Sequence, residues 1–333
     1  MRISIIIVTA NRAEELYRTL ESLSQVRPVG ECELLVVDNN SRDHTRSVIE
    51  NFSKGFTFPV KYEFVPVPGK YGALNAAILG TTGEIIVATD DDARFEPDWL
   101  EEAVAGFEEF QCDFVGGPVS PLWGAHPPPW LPIGNGLHNK VIALLDYGPE
   151  PLEFGRGISW PLGVNVAYRR TAFQRAGLFD PSLGRMEGTL RNQAQREWHL
   201  RARAAGLRGM YLPKMVVHHV IPPERLTKRY FRRWLYWHGI SRAILFRRQG
   251  VDLENPEHDI VAHRWGEIGG VPVYLFFKAL RFLRSLVWRR IRGDRVAAFE
   301  RELWLCFFAG VIRHQWLGSR GRADVRASAL QHP

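Results

Sequence analysis

Three consecutive acids, Asp90-Asp91-Asp92, follow the strand-like run 84–88, and a fourth, Asp38, closes a second apolar run at 34–37. Adjacent carboxylates repel one another and are costly to desolvate unless a cation meets them. Hard oxygen donors of this kind suit Mg2+ or Mn2+, with diphosphate oxygens filling the remaining positions. A cation held there neutralises the charge that develops on a departing diphosphate. Aspartate also favours turns and helix starts, which is the competing assignment. The strand–acid–helix context, with Asp38 at a neighbouring strand end, weighs for the metal–diphosphate site.

Residues 3–8 form a continuous apolar run, as does 34–37, the mark of parallel strands covered on both faces. Leu16, Leu20 and Leu23 recur at helical spacing among Glu14, Glu15, Arg18 and Glu21. Ser41 is expected to cap the helix carrying Val48 and Ile49. A third strand is predicted at 62–65, a small-residue helix at 72–79, a fourth strand at 84–88, and a helix opened by Pro97 that runs to Phe107. Such alternation predicts a doubly wound, mostly parallel α/β sheet with right-handed crossovers. Ligands of these sheets sit beyond the carboxyl ends of the strands, so Asn11, Asp38, Asp90, Asp91 and Asp92 should meet at one crevice.

The chain lacks GxxxxGK[ST], a strand–GxGxxG–helix unit, GxSxG and HExxH, which removes the main support for kinase, dehydrogenase, hydrolase and zincin chemistry. Its 333 residues are 45% hydrophobic and 24% charged, excluding a wholly disordered, collagen-like or coiled-coil chain. Cys32, Cys112 and Cys306 are scattered, so a disulfide framework or structural zinc is not expected and a reducing compartment fits. The first eight residues read as a strand rather than a signal peptide, and no apolar run is long enough to span a bilayer.

Several blocks resemble the nucleotide-sugar half of family 2 glycosyltransferases with the GT-A fold. They are Ile5-Ile6-Ile7-Val8-Thr9-Ala10-Asn11-Arg12, Val36-Val37-Asp38-Asn39-Asn40-Ser41-Arg42-Asp43 and Ala88-Thr89-Asp90-Asp91-Asp92-Ala93. Gly69-Lys70-Tyr71-Gly72-Ala73-Leu74-Asn75-Ala76-Ala77 is similar to the helix between the second and third of these. Gly163-Val164-Asn165-Val166-Ala167-Tyr168-Arg169-Arg170, then Gly177-Leu178-Phe179-Asp180, resembles the start of the acceptor half. The order is kept over about residues 1–220, and five blocks in sequence are specific to the family, though not to a substrate. The resemblance implies inverting transfer from an NDP-sugar. It places Thr9, Asn11 and Asp38 on base and ribose, Lys70, Asn75, Asp90 and Asp91 on the nucleotide or diphosphate, and the metal on Asp90 and Asp92.

An inverting transferase needs a carboxylate to take the proton of the acceptor hydroxyl. The family pattern puts an acidic pair where Ala194-Gln195 stands, counted back from Arg201-Ala202-Arg203-Ala204-Ala205-Gly206. Three assignments stay open: Glu197 as base, Asp180 or Glu187 in its place, or nucleotide-sugar binding without efficient transfer. Glu197 beside Arg196, Arg201 and Arg203 also reads as a solvated ion-pairing face. His218-His219 follow the strand-like 215–217. The resemblance makes His219 a further metal or diphosphate ligand, against a hydrogen-bonded loop histidine.

Six prolines at 118, 121, 127, 128, 129 and 132, with Trp123 and Trp130, predict a loop over the sheet. Charge then divides the chain: residues 1–223 carry 22 Lys and Arg against 26 Asp and Glu, whereas 224–333 carry 21 against 10. Aromatic and aliphatic residues interleave with arginine at 230–242 and 273–288, and a third apolar patch lies at 303–312. Such helices lie in the interface of an anionic bilayer; the alternative is an ordinary helical appendage. Nucleic-acid binding is not expected, for no RNP, KH or helix-turn-helix signature occurs. The domains expected are a GT-A unit at 1–221, divided at 117/118 into nucleotide-sugar and acceptor halves, and a basic, aromatic-rich helical extension at 222–333.

The reading is a cytoplasmic transferase peripheral to the inner membrane, using an NDP-sugar, Mg2+ or Mn2+, and a lipid-linked or envelope-glycan acceptor. A non-catalytic nucleotide-sugar-binding component of an envelope assembly is the alternative from another class. A nucleotidyltransferase is the third, disfavoured because Thr9-Ala10-Asn11-Arg12 replaces a Gly-rich basic loop.

Overall fold

The computed structural model describes residues 1–134, 136–186, 188–250 and 266–329. Isoleucine and valine fill both faces of β1 (Arg2–Thr9), leucine and valine those of β2 (Glu31–Asp38), and Ile3, Ile5, Ile6 and Ile7 are fully buried. Strands with no solvated face need helices above and below. α1 (Ala13–Leu23) supplies Leu16, Leu20 and Leu23, while α2 (Thr45–Phe52) supplies Ile49. β3 (Val60–Phe64), α3 (Lys70–Gly80) and β4 (Ile85–Asp90) complete a parallel block. Its register runs Arg2↔Glu31 to Thr9↔Asp38, Val8↔Asp90 and Asp38↔Phe64, which levels the strand ends.

The chain continues through β5 (Ala93–Phe95), α4 (Trp99–Phe110), β6 (Phe114–Gly116), β7 (Val119–Trp123), α5 (Leu137–Val141) and β8 (Leu152–Glu153). Then come β9 (Val166–Arg169), α6 (Arg170–Ala176), α7 (Ala194–Ala204), β10 (Gly209–Tyr211) and β11 (Val217–Ile221). The main sheet has the order β3-β2-β1-β4-β9-β6-β10-β8. β9 is antiparallel to both β4 and β6, and β8 is an antiparallel edge; the other pairings are parallel. A second sheet, β5-β11-β7, carries the chain beyond the acids.

Three local expectations are revised. The proline stretch is not all loop: 119–123 forms β7, and Pro121 is tolerated because β7 is an edge strand of the β5-β11-β7 sheet, bridged on its other side only at Val119 among the described residues. His218 and His219 lie inside β11 rather than after a strand. Ser41 does not cap α2; the Asp43 carboxylate accepts from Thr45 N at 3.2 Å and from Ala13 N at 3.0 Å, serving the first turns of α2 and α1 together.

By compactness the chain divides into Met1–His126, Ile142–Gly188 and Ala194–Pro222 in one unit, and Pro127–Val141, Thr189–Gln193 and Pro223–Pro333 in the other. The second unit is built on α8 (Lys228–Gln249), the hairpin β12 (Glu267–Ile268) and β13 (Val271–Pro272), α9 (Val273–Ile291) and α10 (Arg295–Ala329). Thr227 caps α8 by accepting from Tyr230 N at 3.2 Å. Phe231, Leu235, Phe307 and Phe308 are buried within this unit. All three apolar stretches of the basic half therefore contribute to a core, α9 through Leu275 and Leu286. Among the described residues, no helix is long and apolar enough to cross a membrane.

Candidate active site

Where β1, β2 and β4 end, the backbone must turn, and polar residues fill the turns. Asn11 adopts φ 53° and Asn40 φ 67°, left-handed conformations that asparagine tolerates better than most residues. Asn11 N donates to Ser41 Oγ at 2.9 Å, and Asn11 Oδ1 accepts from Arg42 N at 2.8 Å. The loops after β1 and β2 are thereby tied together. Asp38 is buried; its Oδ1 accepts from Ser41 N at 2.8 Å and its Oδ2 from the Tyr62 hydroxyl at 3.1 Å. Burial, and then the charge of Asp38, pushes the Tyr62 phenol above its ordinary value.

Asn39 positions the next element. Its amide donates to the carbonyls of Val65 and Val67 and accepts from Gly69 N at 2.7 Å. Gly69 has φ 145°, a conformation side chains avoid, and it delivers Lys70 into the first turn of α3. The Lys70 ammonium pairs with Asp90 Oδ1. Burial works against that ammonium, but the charge of Asp90 outweighs it and holds the lysine above its ordinary value.

The three acids are not equivalent. Asp91 turns inward: Oδ2 accepts from Thr9 Oγ1 at 2.6 Å and Oδ1 from Arg12 Nη1 at 2.7 Å, while its carbonyl accepts from Thr19. Burial pushes its carboxyl above the usual range, Arg12 opposes this, and Asp92 adds to it. Asp92 is bridged to the same Arg12 Nη1 at 3.0 Å and approaches His219 Nε2 at 3.5 Å. The β11–β5 ladder makes that approach, with His219 opposite Ala93 and Val220 N donating to the Asp92 carbonyl. Alternation along β11 sends His218 to the opposite side, where it meets Glu96 at 2.7 Å.

Asp38, Asp90, Asp91, Asp92, Thr9, Asn11, Lys70 and His219 thus share one end of the sheet. Asn75 is engaged elsewhere: its amide donates to the Phe179 carbonyl at 2.8 Å and accepts from Phe179 N at 3.1 Å. Glu197 is buried on α7, with both oxygens accepting from Arg201 at 2.7 and 2.9 Å. Arg201 also donates to the carbonyls of Ala176 and Leu178, so the pair fastens the turn after α6. Asp180 accepts from Ser182 N at 2.9 Å as the cap of a short turn, and Glu187 lies outside the described residues. Gln195 lines a small recess with Lys70, Tyr71, Gly163, Tyr168 and Phe179, and its amide donates to the Tyr168 hydroxyl at 3.2 Å.

Arg12 and Tyr62 are the site residues that residue type alone did not single out. Arg12 carried a signal, as a cation four positions beyond Val8 within reach of strand-end acids. Tyr62 carried none beyond membership of a strand.

Among the described residues, no three His, Cys, Asp or Glu side chains gather as a ready-made metal cage. Asp92 with His219 offers a two-donor protein face. Mg2+ commonly binds through one or two carboxylates plus phosphate and water, so that donor set fits a cation brought with a diphosphate.

The mixed α/β sheet thus gathers acids at the carboxyl ends of its parallel strands, with a histidine brought beside them by the second sheet. Consistent with this, the structure is similar to a mannosyltransferase from Pyrobaculum calidifontis, solved with GDP-Man and Mn2+, with TM-score 0.59, 17% identity, and coverage of 94% of this chain and 87% of that one. The family described as glycosyl transferase family 2 matches residues 4–175, and the chain belongs to it. Glycosyltransferase AglE of Haloferax volcanii is 33% identical over 118 residues, which are 35% of this chain and 39% of that protein. A glucosyl-dolichyl phosphate glucuronosyltransferase of the same organism is 26% identical over 262 residues, 74% of this chain and 77% of that one. The chain therefore spans well under half of AglE's length and about three quarters of the second relative's.

Proposed function

We propose that the protein transfers a sugar, with inversion, from a nucleoside-diphosphate sugar to a lipid-linked or envelope-glycan acceptor at an anionic membrane surface. The observation that carries this reading is the levelling of Thr9, Asp38 and Asp90 on three adjacent parallel strands, with His219 brought to Asp92 by the second sheet. Asp38 and Tyr62 would receive the base and ribose, Asn11 the loop edge of that pocket, and Lys70 the diphosphate. Thr9 and Arg12 hold Asp91, and through it the turn that presents Asp90 and Asp92. Asp92 and His219, with diphosphate oxygens and with Asp90 beside them on Lys70, would hold Mg2+ or Mn2+, which when bound supplies positive charge to the leaving diphosphate. The GDP-Man bound in the similar solved structure supports a sugar nucleotide; the lipid acceptor is supported by the glucosyl-dolichyl phosphate in one relative's name.

Asp92→Asn tests the reading. With radiolabelled NDP-sugars, Mn2+ and membrane lipids, transfer should fall by about 10²-fold or more, and turnover independent of metal and untouched by the substitution would overturn it.

A second reading rests on α7. Gln195, not an acid, faces the recess beside Lys70, and Arg201 clamps Glu197. These features favour a component that binds nucleotide sugar within an envelope assembly without turning it over efficiently. If Glu197 is the base, Glu197→Gln lowers transfer by about 10²–10⁴ with nucleotide affinity kept, and Gln195→Asp changes little. Under the second reading Gln195→Asp raises transfer from background.

A further inference from the structure

We propose that the outer face of α9 is the surface by which this protein docks on an anionic lipid bilayer, the helix lying in the membrane plane. The inference gives the membrane-facing part of the proposed function a specific element and rests on that reading for its purpose.

α9 has two apolar faces. The inner one is used within its own unit: Leu275 and Leu286 are buried, and the Phe282 ring lies 5.6 Å from that of Phe308 on α10. Among the described residues the outer one is not. Phe277, Leu280, Leu283, Val287, Trp288 and Ile291 are all exposed, Phe277 by 65% and Ile291 by 79%. Steps of three, three, four and four from Phe277 to Ile291 keep five of them on one stripe, and Trp288 borders it.

The charge on this helix decides what the stripe meets. Its 19 residues include Lys278, Arg281, Arg284, Arg289 and Arg290, and no acid. Arg281 and Arg292 are exposed beside the apolar stripe and Arg284 is exposed within it, and the Arg292 guanidinium sits 3.7 Å from the Trp288 ring centroid. A second copy of this face would set arginine against arginine. A surface apolar in depth and negative at its rim has the complementary chemistry, and phospholipid head groups over acyl chains provide it. The helix does not meet the requirements of a membrane span, which leaves the in-plane arrangement.

The full-length protein should co-sediment with vesicles of phosphatidylglycerol and phosphatidylcholine, stay in the supernatant with phosphatidylcholine alone, and be released by salt. Leu280→Ser with Ile291→Ser should reduce binding by about tenfold or more while leaving the thermal transition in place, because both side chains are exposed. Arg281→Gln with Arg284→Gln should weaken binding and its salt dependence together. A wild-type chain that ignores anionic vesicles, unchanged binding by the apolar variant, or a dimer that this variant dissociates would each overturn the proposal. Vesicle binding is read without any sugar transfer. A protein that binds but transfers nothing overturns the catalytic reading alone, and one that transfers without binding overturns this proposal and the membrane placement while leaving sugar transfer itself intact.

Discussion

At the scale of single residues, burial sorts side chains of one type into different jobs. Asp90, Asp91 and Asp92 are consecutive, yet Asp91 is locked by Thr9 and Arg12 while Asp92 meets His219. Strand-end placement made the acids legible from sequence. Their division of labour was not, because it depends on partners about eighty to 130 positions away, such as Thr9, Arg12 and His219. His199 shows the same effect in pure form. It is fully buried among Phe114, Trp160 and Trp198, its ring stacked 5.2 Å from Trp160. Burial, and then the charge of Arg196, lowers its pKa to about 3. The folded protein therefore refuses a proton that the unfolded chain accepts near pH 6.5, so this residue's contribution to stability falls as pH drops from there toward 3. His199→Phe removes that term. Urea unfolding of both proteins from pH 8 to pH 4 should show the variant gaining on the wild type as the medium becomes acidic, and a difference independent of pH would disprove the account.

At the scale of elements, the parallel strands and their helices were readable because each carries its own period, as in residues 3–8 and in Leu16, Leu20 and Leu23. Elements defined by pairing with a distant partner were not. β7 contains a proline and forms only because β11 offers it an edge. The basic helices were half readable: their apolar spacing announced helices, but not that α8 and α10 bury Phe231, Phe299, Phe307 and Phe308 while α9 leaves a face outside. Two glycines set how closely α8 and α10 approach. A Cβ on Gly239 would collide with the Phe307 carbonyl oxygen, and one on Gly310 with that of Tyr236. In an isolated helix Gly→Ala stabilises by about 1 kcal/mol. Overpacking costs about 1–3 kcal/mol, and here the obstacle is backbone rather than a movable side-chain end. Gly310→Ala should thus lower unfolding free energy by about 1–2 kcal/mol in chemical denaturation. An increase in stability would mean the helices stand further apart than described.

For the whole molecule, the order of strand ends is what converts a fold into a binding site. Asp38 and the Asp90–Asp92 run arrive from two separated stretches of sequence, and the parallel register brings the strand ends at Asp38 and Asp90 level without any direct contact between them. Nothing in the sequence foretold that 127–141 and 189–193 would join the compact unit of the basic helices, since those short segments carry no period of their own. A site assembled from so many crossovers should be stabilised as a unit by its ligand. A nucleotide present at about a hundred times its dissociation constant adds about 2.7 kcal/mol to the folded state. For a domain of this size that raises the melting temperature by about 5–10 °C. We expect UDP or GDP with Mn2+ to give such a shift, EDTA to remove most of it, and Asp92→Asn to show little shift even with Mn2+ present. The residual shift from nucleotide alone reports Asp38 and its neighbours, because those contacts involve no cation. If neither nucleotide moves the transition with Mn2+ present, the levelled strand ends do not form a sugar-nucleotide site, whatever the family to which the chain belongs.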